Sequence, residues 1–130
     1  WYERMAALQA AGGTAQYVIE HRALARVIGS CLLFRHEPAS SRAEIGYVLG
    51  RAHWGQGLML EAMRGFVIHA FDGIGLRRLE ADVNPLNLPS VRLLERLGFV
   101  REGLLRQRWV TKGEVSDALL FGLLRGEERR

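Results

Sequence analysis

The chain has 130 residues, 48% of them hydrophobic and 25% charged, which is enough for one domain around one hydrophobic core. Its apolar runs, such as residues 118–124, fall short of the roughly 20 residues of a membrane helix, and its first residues do not resemble a signal peptide, so we expect a cytoplasmic protein with no membrane partner. The net charge is +4, but the arginines are scattered among acids without interleaved aromatic residues, which argues against a nucleic-acid partner.

The cysteine and histidine content argues against a metal site. Cys31 is the only cysteine, so the chain contains no internal disulfide and no thiolate cluster. It lies in an apolar run over residues 27–34, which favours a packing role over a nucleophilic one. The four histidines fall in separate segments without ligand spacing: His21, His36, His53 and His69.

The first half of the chain is predicted to form a helix and then three antiparallel strands. The helix is expected over residues 1–11, ended by Gly12 and Gly13, because glycine tolerates the left-handed exit conformation. The β-rich runs cover residues 14–20, 26–35 and 43–49, with a turn near 21–25 and a loop at 37–41.

The second half changes from helical to strand periodicity and back. Residues 57–71 are predicted to form a helix with one apolar face, made by Met59, Met63, Phe66, Val67 and Ala70. Residues 77–83 alternate in polarity, which is typical of a strand.

The last third predicts a helix and two strands. The helix covers residues 88–97, with Asn87 as N-cap, Pro89 in the first turn, and Gly98 and Phe99 forming a Schellman ending. Strands at 100–110 and 114–124 follow, joined by a tight turn at Lys112 and Gly113. The predicted order is α-βββ-α-β-α-ββ.

Two polar clusters follow predicted strands. At residues 54–59 a glycine-containing loop leads into a helix, and free N–H groups at such a start can hold a phosphate; a plain turn is the alternative. Asn84, Asn87 and Ser90 gather where the next strand ends, and the carboxyl ends of parallel strands meet at one crevice. For each of these three residues taken alone, capping or turn chemistry is the favoured explanation.

Five short motifs occur in order along the chain: AEIGYVL at 43–49, WGQG at 54–57, EA at 61–62, NLPS at 87–90 and LGF at 97–99. Together they resemble the GNAT acetyltransferase superfamily, in particular its RimJ/RimL-type branch. The likeness covers roughly residues 15–124. It implies an α/β (α+β) fold: a mixed, mostly antiparallel sheet flanked by helices, with acetyl-coenzyme A in a splay between two central strands. It also implies one acetyltransferase domain over residues 1–130, lacking the family's usual first strand and helix.

The resemblance implies a set of cofactor-binding residues. Backbone amides of the loop would bind the pyrophosphate, and Asn87 the pantetheine arm or the acceptor backbone. Met59 replaces a small residue of the family pattern, and we expect its side chain to turn towards the core. The implied set is Val48, Leu49, Trp54, Gly55, Gln56, Gly57, Leu58, Met59, Asn84, Asn87 and Ser90; no metal is implied.

The implied reaction is direct attack of an amine on the thioester. Glu44 is the candidate base, and an exposed strand residue is the alternative interpretation. A backbone N–H near Val48 or Leu49 would hold the oxyanion. Ser90 would assist the leaving thiolate, because Leu94 stands where many members have a tyrosine.

The acceptor is expected to be a primary amine, either a protein N-terminus, such as that of a ribosomal protein, or a small amine. Its pocket would include the loop at 37–42 and the hairpin with Arg106, Arg108 and Trp109. The rival hypothesis is a non-catalytic acyl-coenzyme A sensor of the same fold. Residues 118–124 are the candidate for pairing with a second copy in a homodimer, unless they lie inside the sheet.

Overall fold

The computed structural model describes residues 7–11, 14–21, 23–50, 55 and 57–128. Its strands are β1 (Ala7–Ala11), β2 (Thr14–His21), β3 (Arg26–Glu37), β4 (Arg42–Leu49), β5 (Arg78–Val83), β6 (Val100–Thr111) and β7 (Glu114–Leu124). Helix α1 (Leu58–Ile68) continues into a π-helical turn at His69–Gly73, and α2 covers Leu88–Leu97. No helix of this part of the chain is long and apolar enough to cross a membrane.

The strands form one sheet in the order β1-β2-β3-β4-β5-β7-β6. All neighbouring pairs are antiparallel except β4 and β5, which are parallel and are joined through α1. A parallel pair requires such a crossover, whereas antiparallel neighbours need only a short turn. Both residues of the turn between β6 and β7, Lys112 and Gly113, have positive φ, as a two-residue hairpin requires.

The prediction of a helix over residues 1–11 is wrong for Ala7–Ala11. This segment is β1, paired with β2 from Ala7↔Tyr17 to Ala11↔Thr14. Its alanines favour a helix locally, but the hydrogen bonds offered by the edge of β2 override a weak propensity. Gly12 and Gly13, predicted to end the helix, lie outside the described residues.

One face of the sheet packs against the two helices. The rings of Tyr17 on β2 and Phe66 on α1 lie 5.4 Å apart, and Cys31 Sγ on β3 lies 3.5 Å from Met63 Sδ. Cys31 is fully buried, which confirms its predicted packing role. Alternate residues of β5, namely Leu79, Ala81 and Val83, are buried on this face, whereas those between them are only partly covered.

The ends of α2 follow the predicted local rules. The Asn87 side chain accepts a hydrogen bond from the Ser90 N–H at 3.3 Å, and Gly98 adopts a φ of 103°. The N–H of Phe99 donates to the carbonyl of Leu94 at 3.0 Å, which is the long hydrogen bond of a Schellman ending.

Segment 118–124 lies inside the sheet as part of β7. β7 pairs with β5 on one side and with β6 on the other. It therefore presents no free edge to a second copy of the chain, and the alternative of an interior position is the one observed.

Candidate functional site

Two parallel central strands separate and open a cavity in the sheet. β4 and β5 pair only at Arg42↔Arg78, Ala43↔Leu79 and Glu44↔Glu80. Beyond that point β4 continues beside β3 and β5 continues beside β7, so the two strands no longer contact each other along their carboxyl halves. The cavity between them has a volume of about 350 Å³ and is lined by side chains from β4, β5, α2 and the β6–β7 hairpin.

Tyr47 and Ser90 meet on the helix side of this cavity. Tyr47 comes from the diverging half of β4 and Ser90 from the first turn of α2, and the Tyr47 hydroxyl forms a hydrogen bond with Ser90 Oγ. Burial raises the pKa of the Tyr47 phenol above its ordinary value. The phenol therefore stays protonated at neutral pH, and the two hydroxyls form a pair facing the cavity.

Asn84 and Asn87 line the same cavity and also shape the chain that forms it. Asn84 Oδ1 accepts a hydrogen bond from the Leu86 N–H at 2.9 Å, closing the turn after β5, and Asn87 caps α2. Each asparagine can therefore stabilise the backbone around the cavity and also contact a ligand inside it. In both side chains the oxygen serves the backbone, which leaves the NH₂ group as the donor available to a ligand.

The opposite side of the cavity carries Asp82 and Trp109. Side chains alternate along β5, so Asp82 points away from the face of Ala81 and Val83 that packs under α2. Trp109 reaches the cavity from β6 beyond a bulge, where the register shifts between Leu105↔Ala118 and Trp109↔Ser116. An acidic and an aromatic side chain therefore lie across the sheet from the hydroxyl pair.

Glu44 lies on the Asp82 side of the sheet but does not line the cavity. It stands beside Glu80 in the parallel register, and its Oε1 accepts a hydrogen bond from Arg35 Nη1 at 3.0 Å. Arg35 has a φ of 50° within a bulge of β3. The structure thus does not bring Glu44 together with Ser90, and its role as base stays a prediction.

Two glycines with left-handed backbone conformation, Gly55 and Gly57, precede α1. Gly55 and Gly57 both have φ of 73°, and a side chain at either position would project into open space. Gly57 is the N-cap of α1 and provides no side-chain cap, so among the described residues no side chain caps the first N–H groups of the helix. Trp54 and Gln56 lie outside the described residues.

The two residues that begin α1 face the core to different degrees. Leu58 is buried, and Met59 is partly buried and packs against the core cluster. The expected inward turn of Met59 agrees with this packing. Neither side chain lines the cavity, so their contribution to a ligand would come from their backbone N–H groups.

Strand β4 directs one candidate oxyanion donor towards the cavity. The Gly50 N–H donates to the Ile28 carbonyl at 2.8 Å, and N–H groups point to alternate sides along a strand. Val48 therefore directs its N–H to β3, whereas Leu49 directs its N–H to the side from which β5 has diverged. The exposed Val48 side chain does not line the cavity.

Sequence reasoning missed Tyr47 and Asp82 as site residues. Tyr47 lies in the motif at 43–49, and the strand alternation that places Ala43 and Ile45 inward also places Tyr47 inward. Its contact with Ser90, however, joins residues 43 positions apart and left no local signal. No group of three or more metal-binding side chains was found within the described portion of the chain.

Comparison with known proteins assigns the family. Residues 1–100 match the family described as the acetyltransferase (GNAT) domain. The chain belongs to the GNAT acetyltransferase family. Its similarity to an uncharacterized N-acetyltransferase p20 of Bacillus licheniformis is 45% identity over 101 residues, covering 78% of this chain and 57% of the relative. The resemblance of the sequence to the GNAT superfamily is thereby confirmed.

Other relatives agree on the family and the fold. The ribosomal-protein-serine acetyltransferase of Escherichia coli is 33% identical over 95 residues, which cover 73% of this chain and 53% of that protein. A chimera of the spermidine N-acetyltransferase SpeG of Vibrio cholerae and hSSAT superposes with a TM-score of 0.83 at 24% identity, over 88% of this chain and 68% of that one. This likeness confirms the predicted mixed sheet. The chain spans little more than half the length of the two curated relatives.

Proposed function

We propose that the chain transfers the acetyl group of acetyl-coenzyme A to a primary amine. The cavity between β4 and β5 carries this proposal, because its lining includes residues of both faces of the sheet, with hydroxyl groups on one face and a carboxylate on the other. Such a lining suits an acyl donor and an amine that approach from opposite faces. Its volume is within the range of roughly 300–1,000 Å³ typical of small-molecule sites.

The start of α1 fits the phosphates of the cosubstrate. Free backbone N–H groups and the positive end of the helix dipole attract anions, and Gly55 and Gly57 leave the approach open. Trp54, Gln56, Leu58 and Met59 would contribute through the same loop and first turn. Acetyl-coenzyme A, when bound, supplies the thioester carbonyl that an amine can attack.

Each step of the reaction has a candidate group in the chain. A carboxylate, for which Glu44 is the candidate, takes a proton from the acceptor amine, directly or through water. The new bond joins the nitrogen to the carbonyl carbon, and the Leu49 N–H donates to the oxyanion. Ser90 donates a hydrogen bond to the sulfur as the carbon–sulfur bond breaks. The new amide nitrogen loses its second proton to water, and the thiolate takes up a proton from water.

The acceptor is proposed to be a peptide or protein N-terminus or a small amine. Every such acceptor is largely a cation at neutral pH, and Asp82 is the acidic side chain of the cavity lining. Trp109 beside it offers an aromatic surface that suits either class. Among the relatives, one is named for a ribosomal protein and another for spermidine.

Titration with acetyl-coenzyme A by calorimetry tests the proposal. The variant Gly57→Asp places a negative charge beside the phosphate cradle, and Gly57→Asn is its uncharged control, since both residues tolerate positive φ better than most. We expect the Asp variant to bind at least tenfold more weakly than the Asn variant at low salt, with a smaller difference at high salt.

Thiol release with a panel of amines then separates an enzyme from a sensor. Binding followed by amine-dependent thiol release supports the transferase. Binding without thiol release for any amine identifies an acyl-coenzyme A sensor. Absence of binding by the wild-type chain contradicts both.

A further inference from the structure

The hydrogen bond between the Tyr47 and Ser90 hydroxyls bears on how the leaving sulfur is stabilised. Resting on the proposed function, we infer that Tyr47 is a positioning residue that aims the Ser90 hydroxyl at the thioester sulfur. In the inferred arrangement the phenol is the donor to Ser90 Oγ and the Ser90 proton is directed into the cavity; the two hydroxyls are in contact and both residues line it. Tyr47 thereby supplies, from strand β4, a phenol that α2 does not carry.

The direction of this hydrogen bond follows from the chemistry of the two groups. A phenol is a stronger acid than an aliphatic alcohol, and its oxygen is a weaker acceptor because a lone pair is delocalised into the ring. The bond therefore runs from the Tyr47 O–H to Ser90 Oγ. A hydroxyl that accepts a hydrogen bond becomes a better donor, so the same contact strengthens the Ser90 O–H towards its own acceptor.

Ser90 is held from two directions. Its backbone N–H is bound by the Asn87 cap at 3.3 Å, and its side chain is bound by Tyr47. With the phenol as donor, these contacts use the N–H and one lone pair of the hydroxyl oxygen and leave the hydroxyl proton for the cavity. A serine without Tyr47 would rotate freely about its side-chain bond and would lose its preferred orientation.

Among the described residues that line the cavity, Ser90 is the only one from α2 that carries a hydroxyl group. Leu94, one turn after Ser90 on α2, also lines the cavity but carries no proton donor. The other hydroxyls of the lining, Thr111 and Ser116, come from the β6–β7 hairpin on a different side. Tyr47 therefore orients the one hydroxyl group that α2 presents to the cavity.

Steady-state kinetics of Tyr47→Phe test this inference. The variant keeps the ring and removes the hydroxyl, and we expect kcat to fall roughly tenfold, equivalent to one lost directed hydrogen bond, while KM for acetyl-coenzyme A changes by less than about twofold. Tyr17→Phe is the matched control. Tyr17 is a buried β-strand tyrosine on the same sheet face, its hydroxyl lies 3.4 Å from His69 Nε2, and it does not line the cavity. Its variant should keep wild-type kcat.

A double-mutant cycle distinguishes positioning from a general structural effect. If Tyr47 acts through Ser90, then Tyr47→Phe/Ser90→Ala is no slower than Ser90→Ala alone. Rate losses that multiply in the double variant, or an unchanged kcat in Tyr47→Phe, overturn the inference. A wild-type chain that binds acetyl-coenzyme A but releases no thiol overturns the proposed function as well, so the two failures are distinguishable.

Discussion

Three carboxylates on one face of the sheet differ in their partners. Glu44 pairs with Arg35, and Glu80 accepts hydrogen bonds from Arg78 at 2.9 Å and Arg42 at 3.4 Å. Asp82, one step further along β5, takes part in no ion pair among the described residues and lines the cavity. Its charge is therefore available to an incoming ammonium group.

This difference predicts separate kinetic effects for two variants. Asp82→Asn removes the attraction for the ammonium group and should raise KM for the amine roughly tenfold, with little change in kcat. Glu44→Gln removes the candidate base and should lower kcat roughly a hundredfold. Initial rates across amine concentrations measure both parameters. If Glu44→Gln is silent and Asp82→Asn lowers kcat, the base is Asp82.

At the scale of elements, the bulge in β6 decides where Trp109 points. Four residues of β6 advance against two of β7 between Leu105↔Ala118 and Trp109↔Ser116. Gln107 has a φ of 53° there, and its N–H donates to Asp117 Oδ1 at 2.8 Å. The carboxylate of Asp117 thus compensates for the ladder hydrogen bonds that the bulge removes, and the bulge re-aims Trp109 into the cavity.

Loss of the Asp117 acceptor should disturb both folding and the acceptor side of the site. We expect Asp117→Ala to lower the free energy of unfolding by about 0.5–1.5 kcal/mol, the typical net contribution of one intramolecular hydrogen bond, and to raise KM for the amine. Asp117→Asn keeps an oxygen acceptor and should stay close to wild type. Urea unfolding and initial rates provide the two measurements; equal behaviour of the two variants would contradict this account.

At the scale of the whole molecule, an ion pair ties three strands together across Gly122. Arg78 on β5 and Glu102 on β6 form two hydrogen bonds of 2.6 and 3.1 Å, which pass over β7. A side chain at Gly122 would meet both groups within 2.7 Å, so glycine there leaves their path open. The paired strands β5, β7 and β6 form one wall of the cavity.

The ion pair predicts a pH-dependent contribution to stability. Hydrogen bonding from Arg78 lowers the pKa of Glu102, so the pair stabilises the folded chain above the ordinary glutamate pKa of about 4.3. The contribution is lost as the pH falls through the lowered pKa of the folded state. Glu102→Gln should therefore cost about 0.5–1 kcal/mol at pH 7, a small value because the side chain is 41% exposed, and nothing at low pH.

Urea unfolding of Glu102→Gln and the wild type at several pH values measures this difference. Glu114→Gln, at an exposed glutamate outside the ion pairs of the described residues, is the control and should show no such pH dependence. A constant difference between Glu102→Gln and the wild type at all pH values would mean that the side chain contributes through packing and not through its charge.

The sequence by itself determined the features that depend on near neighbours. Both long helices and six of the seven strands were predicted to within a few residues, because apolar periodicity and caps such as Asn87 and Gly98 act within one or two turns of chain. The motifs at 43–49 and 87–90 also identified the family. Asn84, Asn87 and Ser90 were predicted to converge, and they do line one cavity.

Only the tertiary structure decided which distant groups meet. β1 is a strand because β2 offers it a pairing edge, and segment 118–124 is interior because β6 pairs with its outer side. The contact of Tyr47 with Ser90 and the pairing of Glu44 with Arg35 depend on sheet register and on bulges. Each of these contacts joins two segments that are far apart in the sequence. Its energy depends on both segments together, so the residue pattern of either segment alone cannot predict it.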